Sequence, residues 1–100
     1  MEVTINQEGE KTFVTLDGRI DTTNAAQFQA DIAPLLEGDK PNIEIDCTRM
    51  DYTSSQGLRI FLMLQKSVNL RQGTLVLKDM QPQVKEVFDI TGFSNIIHIC

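Results

Sequence analysis

The run Thr53-Ser54-Ser55-Gln56-Gly57 sets two serines ahead of a long apolar helical segment, where a hydroxyl is either consumed in capping or left free for chemistry. Thr53 and Gln56 have capping-box spacing: the threonine oxygen would accept the backbone N–H of Gln56, and the glutamine side chain would reach back. In that register Ser54 and Ser55 occupy the first two helical positions and keep free hydroxyls. If Ser54 is the cap instead, Ser55 alone stays free. A serine there suits a phosphate acceptor. Unpaired amides and the positive end of the helix dipole accept a dianion without unfolding the helix, a contribution of roughly 0.3–1 kcal/mol at an exposed terminus. Gly57 would then clear space beside the hydroxyl for a partner's catalytic groups. The plainer reading is that hydroxyl residues precede helices because they cap them, and the pattern alone favours it.

Other groups are weaker candidates. Asp21-Thr22-Thr23-Asn24 reads as a capping cluster ahead of an earlier helix, and Arg59 as a solvated arginine. Asp46 and Thr48 follow an apolar strand in the manner of phosphotransferase nucleophile loops, but the second aspartate of an Asp-x-Asp motif is missing. A hydrolase would need Ser55 as nucleophile and His98, the sole histidine, as base, without a Gly-x-Ser-x-Gly elbow. Cys47 lies in an apolar strand phase, which suits a buried thiol, and Cys47 and Cys100 lack metal-ligand spacing. Walker and dinucleotide-binding signatures are absent, so no cofactor is expected.

The elements that would position Ser55 follow from periodicity. Val3 and Ile5, then Phe13 and Leu16 across Glu8-Gly9-Glu10, predict a hairpin, with Asp17-Gly18-Arg19 as the next turn. Ala25, Phe28, Ile32, Leu35 and Leu36 keep helical spacing, interrupted by Pro34 and ended by Gly38. Ile43, Ile45 and Cys47 alternate with Glu44 and Asp46, which predicts a strand with one dry and one wet side and then a loop from Thr48 to Gly57. Leu58 to about Leu70 is helical, Leu75-Val76-Leu77 a buried strand, Pro82 to Gly92 a helix, and Ile96, Ile97 and Ile99 a last strand. The order β-β-α-β-α-β-α-β implies an α/β domain whose mixed sheet opens with an antiparallel hairpin and whose later strands are linked by helices. Loops outside the carboxyl ends of such strands are the usual functional edge, which again points to Thr48–Gly57.

One hundred residues with 41% hydrophobic side chains fit one domain, residues 1–100, with an ordinary core. Nine Lys+Arg against fourteen Asp+Glu give a net charge of -5, the wrong balance for nucleic acid or an anionic membrane. The longest apolar run, Ile60–Leu64, is too short to insert in a bilayer, and no leader pattern precedes the first strand. A reduced, cytoplasmic domain is the expectation.

With these elements in place, Gly18-Arg19-Ile20-Asp21, Ile43-Glu44-Ile45-Asp46 and Tyr52-Thr53-Ser54-Ser55-Gln56-Gly57-Leu58-Arg59 together resemble the STAS domain of bacterial anti-sigma factor antagonists. The resemblance covers nearly the whole chain. It is greatest to members reading tyrosine or phenylalanine, a short residue, two serines, any residue, then Gly-Leu. It implies a non-enzymatic switch. The unphosphorylated antagonist binds an anti-sigma factor that is also a serine kinase, freeing a sigma factor. The kinase then phosphorylates the serine aligned with Ser55, and a PP2C-type serine phosphatase reverses the mark. Nucleotide and magnesium belong to the kinase. Contact residues implied by the match are Asp21, Thr22, Thr53, Ser54, Gln56, Gly57 and Arg59. Two departures stand out: Ser54 where the best known switching members have aspartate, and an end at Cys100 where many continue into another helix. The competing reading is a STAS adaptor of a transporter or signalling assembly in which Ser55 is a contact and never modified.

Overall fold

Val3 and Ile5 lie opposite Leu16 and Val14 across the first two strands, so one side of the hairpin is apolar over these two pairs. In the computed structural model, which describes residues 1–100, these strands are β1, Glu2–Glu8, and β2, Lys11–Ile20. Helices and strands then alternate: α1, Ala25–Asp31; β3, Asn42–Thr53; α2, Ser55–Leu70; β4, Thr74–Lys78; α3, Pro82–Ile90; β5, His98–Ile99. The sheet order is β1-β2-β3-β4-β5, antiparallel between β1 and β2 and parallel thereafter. The α/β order expected from periodicity is the order that forms.

The apolar phase of the strands, including Val14, Leu16, Ile43, Ile45, Leu75 and Leu77, is buried with residues from all three helices in one core. Phe61 of α2 sits at its centre, with ring centroids 5.5 Å from Phe28 of α1 and 5.7 Å from Phe88 of α3, both pairs tilted. These separations are favourable for aromatic edge contacts. The opposite sheet face is wet, as the Glu44 and Asp46 phase predicts. There Glu44 accepts Lys11 at 3.0 Å and Lys78 at 3.8 Å.

Several local expectations need correction. Asp17-Gly18-Arg19 is not a turn but part of β2. The strand passes through two register shifts against β3, and Gly18 takes φ +117°, a conformation open to glycine. The added length of β2 gives β3 a partner as far as Thr53, so the expected loop after Cys47 is strand. The early break expected at Pro34 does form: α1 stops at Asp31, and Pro34 falls in the first turn of a 3-10 helix, Ala33–Leu36, where its missing N–H is tolerated. Of the isoleucine-rich end, only His98–Ile99 pairs with β4, because Phe93–Asn95 first form a 3-10 turn started by Gly92 at φ +80°. Ile97 is buried beside that turn.

Arg71, just beyond α2, ties the first crossover down. Its guanidinium donates to the carbonyls of Leu35 at 2.7 Å, Glu37 at 2.7 Å and Gly38 at 3.2 Å. Cys47 is wholly buried, and burial pushes its thiol up to about 12, whereas Cys100 is exposed. A thiolate is the reacting species. An aromatic disulfide reagent at pH 8 should therefore titrate one thiol in the folded protein, Cys100, and a second only in urea. Two fast thiols in the folded state would show that the β3 core is open.

Candidate functional site

β3 runs straight into α2 with a single residue between them. Thr53 still pairs with Ile20, the last residue of β2, and the Ser54 N–H donates to the Ile20 carbonyl at 2.8 Å. Ser54 is extended, with φ -83° and ψ 172°, and its Oγ accepts the Gly57 N–H at 3.3 Å. The cap is therefore Ser54, and the capping box between Thr53 and Gln56 does not form. As a paired strand residue Thr53 is buried, and its hydroxyl donates to the Ser54 carbonyl at 3.2 Å.

Ser55 is consequently the first residue of α2, exposed, with no hydrogen bond to its hydroxyl. Capping demand at this terminus is met by its neighbour. Aspartate and serine are comparable N-caps, so Ser54 can meet the same capping demand as the aspartate found there in the best known switching members.

Gly57 acts differently from expectation. It is buried, and a Cβ there would lie inside contact distance of Thr53 Oγ1 and 3.0 Å from Ile20 Cγ2. The glycine lets α2 settle onto the ends of β2 and β3 instead of clearing a path for a visitor. Thr53, Ser54 and Gly57, all expected as contact residues, thus lie beneath the surface and hold Ser55 in place.

Asp21 braces the neighbouring loop. Its Oδ1 accepts the Thr23 hydroxyl at 2.5 Å, the Thr23 N–H at 2.9 Å and the Asn24 N–H at 3.2 Å, while Oδ2 pairs with Arg19 at 3.3 Å. The Thr23 hydroxyl foremost, then these amides and Arg19, hold the carboxyl below its ordinary value. Asn24 closes the loop by accepting the Asp21 N–H at 2.8 Å and donating to the Arg19 carbonyl at 2.8 Å. Arg19 in turn lies over the Tyr52 ring, 5.3 Å from its centroid, with Tyr52 47% exposed.

Between α1 and α2 runs a groove of about 360 Å³. Thr22, Gln56 and Arg59, named from the sequence, line it. Ala26, Gln29 and Met63 also line it and were not named. The one available signal was the pair Ala25-Ala26, which leaves α1 without bulk where it faces α2. Gln29 Nε2 donates to Met63 Sδ at 3.8 Å across the gap.

His98 and Asp46, weighed from the sequence for enzyme chemistry, have other contacts. On β5 the His98 ring nitrogen lies 3.3 Å from the Sγ of Cys100, the residue after the strand, and the Asp46 carboxylate is occupied by the Thr48 hydroxyl at 2.5 Å and N–H at 2.9 Å. No helix is long and apolar enough to cross a membrane.

The STAS domain model matches residues 2–100 of this mixed sheet, opened by a hairpin and carrying a capped helix with one free serine at its start: the chain belongs to that family. Among its relatives, BtrV of Bordetella bronchiseptica, whose name gives a provisional assignment as an anti-sigma factor antagonist, is 34% identical over 99% of this chain and 85% of BtrV. The anti-sigma-B factor antagonist of Bacillus subtilis is 29% identical over 99% of this chain and 90% of that protein. Among solved structures, the anti-sigma factor antagonist SpoIIAA in its unphosphorylated form superposes with a TM-score of 0.80 at 19% identity, covering 99% of this chain and 88% of that one. SpoIIAA from Bacillus in its phosphorylated form gives 0.73 at the same identity, over 99% and 91%.

Proposed function

We propose that this chain is an anti-sigma factor antagonist that works in the cytoplasm and is switched at Ser55. Unmodified, it binds an anti-sigma factor serine kinase and so releases a sigma factor. The kinase ends the complex by phosphorylating Ser55: the serine oxygen bonds to the γ-phosphorus of ATP, the bond to ADP breaks, and the hydroxyl proton passes to a base of the kinase. A PP2C-type serine phosphatase hydrolyses the ester with water. Nucleotide and metal are the partner enzymes' equipment.

The observation that carries this reading is a solvent-exposed Ser55 hydroxyl with no structural duty, one residue after the serine that does the capping. The names of BtrV and the Bacillus subtilis relative support the role, and SpoIIAA, solved with and without phosphate, supports the mode of control. Asp21, Thr22, Gln56 and Arg59 form the surrounding contact surface, held from below by Thr53, Ser54 and Gly57. A phosphate adds about -1.5 to -2 charges at neutral pH to that surface.

The test is phosphate mapping. Incubation with an anti-sigma factor kinase and ATP should add one phosphate, located by tandem mass spectrometry on Ser55 and absent from Ser55→Ala. Phosphate on Ser54 alone, or none on either serine, would replace the switch by the unmodified adaptor.

A further inference from the structure

Ser55 and Arg59 are both exposed and stand four residues apart on α2. Helix geometry puts such residues on one face, Cβ atoms about 5–6 Å apart, and the pairing is best when the anion is the earlier of the two. A phosphoserine at the first helical position and an arginine one turn later satisfy both conditions.

Arg59 is also the uncommitted cation. In the segments that meet around the start of α2, residues 19–29 and 51–63, the charged residues are Arg19, Asp21, Asp51 and Arg59. Arg19 pairs with Asp21 at 3.3 Å and lies on Tyr52, and farther along β3 Arg49 pairs with Asp17 at 3.3 Å. Arg59 makes neither an ion pair nor a hydrogen bond. It is the single charged residue lining the α1–α2 groove, whose floor includes Ala25 and Ile60.

We propose that Arg59 reads the modification state of Ser55. With the hydroxyl unmodified, its guanidinium stands at the groove, open to the docked partner. With phosphate on Ser55 it turns back one helical turn, pairs with the phosphate in a forked hydrogen-bonded geometry, and leaves the groove without its cation. Phosphorylation then both adds negative charge and withdraws a positive contact. This rests on Ser55 as the acceptor, but its test does not require a kinase.

Phosphoserine is placed at position 55 by genetic encoding, and the second phosphate ionisation is followed by phosphorus NMR in the otherwise native chain, in Arg59→Ala and in Arg59→Lys. The native chain should ionise at a pH lower by about half a unit than Arg59→Ala, a threefold shift in the protonation equilibrium, with Arg59→Lys recovering part of it. Arg59→Ala keeps whatever lowering the amides and dipole of the α2 terminus supply, so the pairing is read from the difference between the native chain and Arg59→Ala. Equal values in all three proteins would overturn the proposal, since any lowering they share belongs to the helix amides. Kinase failure with a normal shift would instead refute the acceptor reading and spare the pairing. Arg59 is exposed, so its variants should fold; their thermal unfolding is recorded alongside.

Discussion

Ser55→Asp should weaken binding to the anti-sigma partner by about a hundredfold or more while leaving the melting temperature within a few degrees of wild type. The two halves of this expectation have separate causes. Like charge set against a partner's surface costs several kcal/mol, and a hundredfold loss requires only about 2.7. Stability is insulated because Ser55 is exposed and unbonded, so nothing is broken, and an aspartate in the first turn of a helix is favourable by roughly 0.3–1 kcal/mol. Ser55→Ala should bind as tightly as wild type and stay bound in the presence of ATP. Calorimetric binding and scanning calorimetry on the three proteins decide the matter. A Ser55→Asp protein that unfolds early would make the serine structural. One that binds normally would detach the site from the switch.

Gly57→Ala should destabilise the domain by about 1–2 kcal/mol, a fall of roughly 5–15 °C for a chain of this size. The sign is informative because helix propensity alone favours alanine over glycine by about 1 kcal/mol. The opposing effect is steric. The new methyl meets Thr53 Oγ1 and Ile20 Cγ2, both in buried residues at the seam between α2 and the sheet, and neither belongs to a flexible side chain that can swing away. Combining Gly57→Ala with Thr53→Ala should cost less than the sum of the single losses, because the new methyl occupies volume that the Thr53 hydroxyl gives up. Denaturant unfolding of the four proteins measures this. A Gly57→Ala protein as stable as wild type would mean that α2 is not seated as described, and that Ser55 is held less firmly than its neighbours imply.

The order of elements was legible because each has its own rhythm: Ile43, Ile45 and Cys47 at period two, Phe61, Leu64 and Val68 at helical spacing. The second half of β3 was not. Its buried residues are Cys47, Met50 and Thr53, spaced by three because the register slips against β2, and this imitates neither a regular strand nor a loop. The same obscurity hid the choice of cap. Whether Thr53 or Ser54 begins the helix depends on where the strand ends, which depends on how far β2 extends, a tertiary fact with no local signal. Ser55 and Arg59 could be named from the motif, but the groove joining Arg59 to Thr22 and Met63 exists only once α1 and α2 are placed side by side. Gly57 was correctly singled out for a reason that proved wrong: the crowding that requires it lies under the helix, not above it.

The three phenylalanine rings that meet at Phe61 fasten every helix to the same point. A message written on one serine therefore has no lever to pull inside the molecule; it is legible only from outside, like a raised letter on a rigid type block. Recognition should then be a docking of preformed shapes, with the mark changing how long the visitor stays more than how quickly it arrives.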